Sequence, residues 1–384
     1  MKRNILAIMV IVTIIALAAR RTSRAQSAQG EPTLVAPIFE VDPYWPKMEG
    51  NFGVNGNWLF GAIGSVAVDP SNDHIWAFTR PETLRSDEDY ALKNPTMADC
   101  CVPSPSVLEF DPNGNFIQGW GGWGPDDWIS EHGISVDYRG NVWLAGYNQV
   151  LKFTRTGKLL LRIGRRESVP DSNEPDSLGY PTKAVVYAKT NEVFVSDGYV
   201  NRRVIVFDAD TGKFKRLWGA YGKKPDDAAT WIRVFEGPPA QQFFVPHDIT
   251  VSNDGLVYVA DRGNNRVQVF NIDGGFVKEA FVAREVRAPS NSVIGVSVST
   301  DERQQYLYVA GADDHLRILN RDTLQMVGRF GRMGYYPGQM MRLHMCAVDS
   351  KGNIYTATAG SDGRRIQKFV NKSRSPQITA AIVR

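Results

Sequence analysis

Short apolar segments separated by turn residues recur along most of the chain. One copy, "FFVPHDITVSNDGLVYVADRGNNRVQVF", spans residues 243–270 and has the pattern of β-strands joined by an "NDG" and a "GNN" turn. Related segments begin at Gly64, Ser130, Tyr180, Asn291 and Arg342. Six units of about 40 to 60 residues, each with three or four short strands, are typical of a propeller. The pattern predicts an all-β fold, a six-bladed β-propeller.

A different pattern marks the N-terminus. Residues 1–25 begin with Lys2 and Arg3, continue with an apolar run from Ile5 to Ala19, and end in small residues around Ala25. This is the pattern of a secretory signal peptide, and the run is short for a membrane span. We therefore expect a periplasmic or secreted protein without stable membrane insertion. The propeller is expected over residues 33–373, followed by a C-terminal tail over 374–384.

The signal segment also carries the excess positive charge. Five of the 44 basic residues and none of the 41 acidic residues lie in it, which leaves 39 basic residues against 41 acidic ones. Nucleic-acid binding depends on a basic surface, and this balance gives it no support. We expect a monomer that does not bind nucleic acid.

Export places the three cysteines in an oxidising compartment. Cys100 and Cys101 are adjacent in "MADCCVPSP", and both a disulfide between them and two separate thiols are open. Adjacent Cα atoms lie about 3.8 Å apart across a trans peptide, below the usual disulfide range of roughly 4.4 to 6.8 Å. Cys346, in the predicted innermost strand of the last blade, is expected to be a buried small apolar residue.

Histidine recurs at one position of alternate repeats. We aligned the repeats on the apolar pair that opens each second strand and counted ten residues back. In blades two, three, four and six, the residues at that position are His132, Lys183, His247 and His344. Alternate blades surround a common channel, so the three imidazoles should converge on its axis. Three nitrogen ligands with an open fourth position are typical of catalytic zinc, although the ligand type also allows copper, iron or nickel. The alternative is that the histidines are hydrogen-bonded channel residues.

Two arginines occupy a second common position, at the end of the second strands, and a tyrosine lies one position later in blade three. These are Arg80 in "IWAFTRP", Arg262 in "VYVADRG" and Tyr199 in "VFVSDGYVNRR". The start of one strand adjoins the end of its antiparallel neighbour, so these side chains should share the histidine end of the channel. Arginine binds carboxylates through a bidentate fork, and tyrosine can act as a base. Arg203 and Arg266 recur in the repeat itself and are interpreted as structural.

The repeats resemble two known groups. The "V.D..N.RV..F" cadence resembles the NHL repeat, and the segments at Glu131, Val195 and Phe243 resemble peptidyl-α-hydroxyglycine α-amidating lyase, from about Phe39 to Phe369. The resemblance implies a six-bladed propeller enzyme with zinc on three histidines, which splits a peptidyl carbinolamide into an amide and glyoxylate. It implies a small-molecule or peptide substrate with a carboxylate. It further implies that His132, His247 and His344 are the zinc ligands. Tyr199 would be the base, and Arg80 and Arg262 would be the two active-site arginines.

The chain also departs from this family. Met345 stands where the family's calcium ligand is an aspartate, which puts bound calcium in question. The segment 81–105 has no counterpart that we can place. Two other functions remain open. One is a non-catalytic NHL propeller that contains a structural metal and binds a partner through its loops, and the other is a metal-dependent hydrolase or lactonase. The arginine pair beside a tyrosine favours the lyase.

Overall fold

Six four-stranded antiparallel sheets form most of the described part of the chain. This computed structural model describes residues 34–48, 58–122, 131–230, 237–287, 291–360 and 363–373. The chain divides into two compact units, Met1–Ala36 and Pro37–Arg384, and every described strand lies in the second. The arrangement confirms the predicted all-β, six-bladed propeller. Residues 1–25 and 374–384 lie outside the described residues, so the signal peptide, the tail and the domain limits stay predictions.

The strands follow one another along the chain, blade by blade. Two strands precede the first complete repeat: β1 (Phe39–Asp42) and β2 (Trp58–Leu59). Blade one then contains β3 (Ala62–Val68), β4 (Ile75–Arg80), β6 (Val107–Phe110) and β7 (Phe116–Trp120), with β5 (Val102–Pro103) between them in sequence. Blade two contains β8 (Glu131–Val136), β9 (Val142–Gly146), β10 (Gln149–Phe153) and β11 (Leu159–Gly164). Blade three contains β12 (Pro181–Tyr187), β13 (Glu192–Asp197), β14 (Arg203–Asp208) and β15 (Phe214–Trp218).

The remaining blades repeat this order. Blade four contains β16 (Pro246–Val251), β17 (Leu256–Asp261), β18 (Arg266–Asn271) and β19 (Phe276–Phe281). Blade five contains β20 (Gly295–Val298), β21 (Tyr306–Gly311), β22 (His315–Asn320) and β23 (Met326–Phe330). Blade six contains β24 (Leu343–Val348), β25 (Ile354–Thr358) and β26 (Arg365–Asn371). The described helical turns are short 3-10 segments, at Pro81–Thr83, Tyr90–Leu92, Ala220–Gly222 and Arg262–Asn264. No helix among the described residues is long and apolar enough to cross a membrane.

Blade six takes its fourth strand from the beginning of the propeller. Strand β1 pairs antiparallel with β26, with Phe39 opposite Asn371. The pairing joins the first and last described strands in one sheet and covers an edge of β26 that would otherwise be unpaired. The sequence patterns did not predict this closing strand.

The apolar core lies between neighbouring blades. The second strands β9, β13 and β25 are buried at every residue, which explains why their sequences run apolar instead of alternating. Tight turns then reverse the chain, as at the "NDG" turn, where Gly255 has a φ of 83° that other residues rarely adopt. Fully buried ion pairs join the second and third strands in two blades: Arg203 with Asp197, and Arg266 with Asp261. Both arginines are structural, as predicted.

The segment 81–105 is fixed at both ends. Its strand β5 pairs in parallel with β2, and Arg364 of blade six donates two hydrogen bonds, of 2.9 and 2.8 Å, to the Glu88 carboxylate. Cys100 and Cys101 lie in this segment and are joined as a disulfide. Cys346 is buried in β24, where burial raises the pKa of its thiol to about 12.

Candidate metal centre

A β-bulge interrupts the innermost strand of most blades at the same place. The sheet register shifts by one residue there, which leaves one residue unpaired in each of blades one, two, three, four and six: Gly64, His132, Thr182, His247 and His344. A bulge bends the strand and turns its extra side chain away from the regular pleat. The same backbone irregularity therefore presents a histidine in blades two, four and six.

The structure corrects the alignment in blade three. The sequence count placed Lys183 at the histidine position, and this was wrong by one residue. In blade three Val186 pairs with Val193, whereas in blade two Val136 pairs with Val142, so the first hairpin of blade three is one residue longer. Thr182 consequently occupies the histidine position, and Lys183 lies one step further along, level with Asp248 and Met345.

The three predicted ligand histidines come together at the end of the channel. Their ring centroids are 4.5 Å apart for His132 and His247, 4.9 Å for His132 and His344, and 4.8 Å for His247 and His344. All three residues are buried, and their ligand nitrogens lie within 4.8 Å of one another. In the described part of the chain, this is the one group of three or more His, Cys, Asp or Glu side chains placed to hold a metal ion.

Backbone carbonyls of the intervening blades orient these rings. The Nδ1 of His132 lies 2.8 Å from the Thr182 carbonyl oxygen, and the Nδ1 of His247 lies 2.9 Å from that of Ile294. The Nδ1 of His344 lies 2.5 Å from the carbonyl oxygen of Gly64. A carbonyl only accepts, so each Nδ1 must carry the proton, and each Nε2 keeps its lone pair for a ligand. Sequence reasoning missed these carbonyls because a backbone oxygen has no residue-type signature.

The surroundings favour the neutral form of the imidazoles. Burial lowers the pKa of all three histidines well below the ordinary value of 6.5. The positive charges of Arg80 and Arg262 lower the pKa of His132 and His344 further, and Arg262 does the same for His247. A neutral imidazole is the form that binds a metal ion.

Tyr199 lies directly against this cluster. Its hydroxyl oxygen is 3.1 Å from Nε2 of His132 and 3.2 Å from Nε2 of His247. Nη1 of Arg262 donates a 3.2 Å hydrogen bond to the same oxygen. Tyr199 is 43% exposed, so its ring lies between the buried histidines and solvent.

Arg80 lies near His132 and His344. A methyl group built at Gly64 would lie 3.3 Å from its Nε and Nη2, so the glycine leaves room for the guanidinium. The structure thus brings Tyr199, Arg80 and Arg262 to the histidine end of the channel. His74 and His315 lie elsewhere: His74 is partly buried against Glu109, and Nδ1 of His315 lies 2.9 Å from the Asp313 carbonyl oxygen.

Known proteins resemble this chain in sequence. The NHL repeat family matches residues 245–270. A protein of Caenorhabditis elegans named probable peptidyl-alpha-hydroxyglycine alpha-amidating lyase pgal-1 is 31% identical over 335 residues, which cover 83% of this chain and 85% of that protein. This chain belongs to the peptidyl-α-hydroxyglycine α-amidating lyase family.

Other relatives of the family differ in length and name. The mouse peptidyl-glycine alpha-amidating monooxygenase is 29% identical over 260 residues, 62% of this chain and 24% of that protein. The chain spans about a quarter of the length of the monooxygenases that it matches. Mouse NHL repeat-containing protein 3 is 25% identical over 362 residues, 90% of this chain and 88% of that protein.

Calcium does not fit the channel beside the histidines. Met345, at the position of the family's aspartate, is packed in the apolar core with Ile63 and Val66. Asp248, level with it in blade four, lies 3.5 Å from the ammonium group of Lys183. Calcium takes six to eight oxygen ligands, and a neighbouring ammonium group repels it. These surroundings do not favour a calcium ion, and its absence stays a prediction.

Proposed function

We propose that this protein is a zinc-dependent carbon–nitrogen lyase that cleaves an N-substituted α-hydroxy acid into an amide and glyoxylate. The observation that carries the proposal is the contact of the Tyr199 hydroxyl with two of the three buried imidazoles and with Arg262. This contact supports the proposal because it would bring a proton acceptor and a carboxylate-binding group next to a metal site. An O-substituted α-hydroxy acid would fit the same chemistry and release a related carbonyl compound.

The histidines fit a zinc ion. Burial favours the neutral form of His132, His247 and His344, which would hold the ion through Nε2 and leave a position for substrate. Bound zinc would supply Lewis acidity at the substrate oxygen.

The two arginines and Tyr199 supply the rest of the chemistry. Arg80 and Arg262 both lie close enough to the cluster to affect His132 and His344, and would bind the substrate carboxylate. Tyr199 would act as the base that takes the proton of the α-hydroxyl group. The O–H electron pair would then form the carbonyl, the C–N electron pair would leave with the nitrogen, and the nitrogen would take up the proton that Tyr199 received. Atoms balance without water, and the products are the amide and glyoxylate.

We also propose that the protein acts outside the cytoplasm. The support is the signal-peptide pattern of residues 1–25. The proposed partner is a small molecule or peptide that carries a carboxylate, and the proposed working unit is a monomer made of the 33–373 propeller.

The test is a product assay. Zinc-loaded protein is incubated with α-hydroxyhippurate, and glyoxylate, benzamide and benzoate are quantified. We expect equal amounts of glyoxylate and benzamide from the wild type, and none from His344→Ala. His315→Ala removes a histidine outside the cluster and should retain full activity.

The products separate the rival functions. Benzoate in place of benzamide would mean that the amide bond is hydrolysed, as in a metal-dependent hydrolase. No turnover of any α-hydroxyglycine compound by zinc-loaded protein would leave the binding platform as the better account.

A further inference from the structure

A buried ion pair lies in the channel next to the histidines. Nζ of Lys183 is 3.5 Å from Oδ1 of Asp248, and the two residues are 7% and 0% exposed. Lys183 lines a cavity of about 150 Å³ whose other walls are mostly valine, alanine and isoleucine side chains. The pair therefore lies in apolar surroundings, where an uncompensated charge is costly.

Asp248 connects this pair to the candidate metal centre. It directly follows His247 in the chain, and its Oδ2 accepts a 2.9 Å hydrogen bond from the Val296 backbone N–H of blade five. His247 donates from Nδ1 to the carbonyl of Ile294, two residues before Val296. Adjacent residues of blade four thus hold the same short segment of blade five. A displacement of Asp248 should therefore tilt the His247 ring.

Removing one partner of a buried pair is far more damaging than removing both. The remaining ion is left in a low dielectric without a counter-charge, whereas two neutral groups of similar size pack with little cost. Lys183 is the cation that lies beside Asp248.

We propose that the Lys183 side chain supplies the positive charge that neutralises Asp248, in place of a bound calcium ion. Through Asp248, Lys183 also positions the ligand His247. The positioning role rests on the proposed metal centre, while the charge-neutralising role does not.

The first experiment tests charge neutralisation in metal-free protein. Lys183→Met should lower the denaturant midpoint, and Lys183→Met/Asp248→Asn should recover most of the loss. The matched control is Lys152→Met, because Lys152 is also 7% exposed. Unlike Lys183, it donates a 3.0 Å hydrogen bond to the Ala209 carbonyl oxygen, and its acidic neighbour Asp210 is half-exposed. Adding Asp210→Asn to that control should recover nothing.

Two results would overturn the neutralising role. One is a double variant no more stable than Lys183→Met. The other is a wild-type midpoint that rises with calcium or falls with a calcium-selective chelator.

The second experiment tests the positioning of His247. Cobalt(II) is bound to each variant, and its visible absorption spectrum and affinity are measured. Loss of a group that orients a metal ligand typically costs about 10- to 100-fold in metal affinity. We expect a loss of that size and a changed spectrum for Lys183→Met, and neither for Lys152→Met. An unchanged spectrum and affinity in Lys183→Met would overturn the positioning role.

The two experiments also separate this inference from the proposed function. If the wild type binds no cobalt, the metal centre is wrong and the positioning role fails with it. The midpoints of the metal-free variants still decide whether Lys183 neutralises Asp248.

Discussion

A histidine that can rotate is a poor metal ligand, because ordering its ring consumes part of the binding free energy. Here the rings of His132, His247 and His344 are each fixed by a carbonyl of the following blade. The odd-numbered blades contribute a backbone carbonyl oxygen at the position where the even-numbered blades contribute an imidazole side chain. This division explains why Gly64, Thr182 and Ile294 differ in chemistry although they occupy one structural position.

At the residue scale, the first prediction concerns Tyr199. Tyr199→Phe should lower kcat by about 10² to 10⁴, the usual effect of losing a general base. Metal content should stay the same, because the phenol is placed as a base and is absent from the proposed ligand set. Steady-state kinetics and elemental analysis of one preparation check both. Full activity in the phenylalanine variant would exclude the proposed proton transfer.

The second prediction concerns Arg262. Arg262→Ala should raise KM for a substrate with a carboxylate, because it removes binding shared by the ground and transition states. The hydrogen bond to Tyr199 is lost as well, so kcat should also fall. Kinetics with a matched pair of substrates, one carrying the carboxylate and one its amide, provide the measurement. If both substrates lose kcat/KM by the same factor, Arg262 does not bind the carboxylate.

At the scale of strands and blades, alignment by sequence works only where hairpin lengths agree. The register of His132, His247 and His344 could be read directly because their first hairpins are equally long. The longer hairpin of blade three has no sequence marker strong enough to reveal the extra residue, which is why Lys183 was misplaced. Strand β1 is four residues long and lies over 300 residues from its partner, so no local pattern indicated the pairing.

The third prediction concerns the buried ion pair of blade four. Arg266 is fully buried and bonds Asp261 at 2.7 Å and the Tyr221 hydroxyl at 2.7 Å. Arg266→Met should reduce the free energy of unfolding by about 3–5 kcal/mol, because Asp261 is left without its counter-charge. Urea unfolding measures this. Arg303→Met, at an exposed position, should stay within about 0.5 kcal/mol of the wild type. Equal effects of both substitutions would mean that the pair does not stabilise the blade.

At the scale of the whole molecule, the fold could be predicted because a repeat gives the same signal six times. The ligand set could be predicted because one residue type recurred in alternate repeats. The Lys183–Asp248 pair could not, because it depends on a register and a burial that only the assembled channel establishes.

The fourth prediction concerns export. If residues 1–25 are a signal peptide, the mature protein should begin near Gln26 and be recovered from the periplasm or the medium. N-terminal sequencing of protein expressed from the full chain checks this. Recovery of an intact segment from Ile5 to Ala19 in a membrane fraction would contradict it.

The fifth prediction tests the central claim, that three histidines of one chain hold one ion on which cleavage depends. Metal-free protein is titrated with zinc while glyoxylate release from α-hydroxyhippurate is followed. The rate should rise linearly from near zero and level off at about one zinc per chain, the stoichiometry of a single three-histidine site. A rate that does not depend on zinc, or a break at a different stoichiometry, would contradict the account.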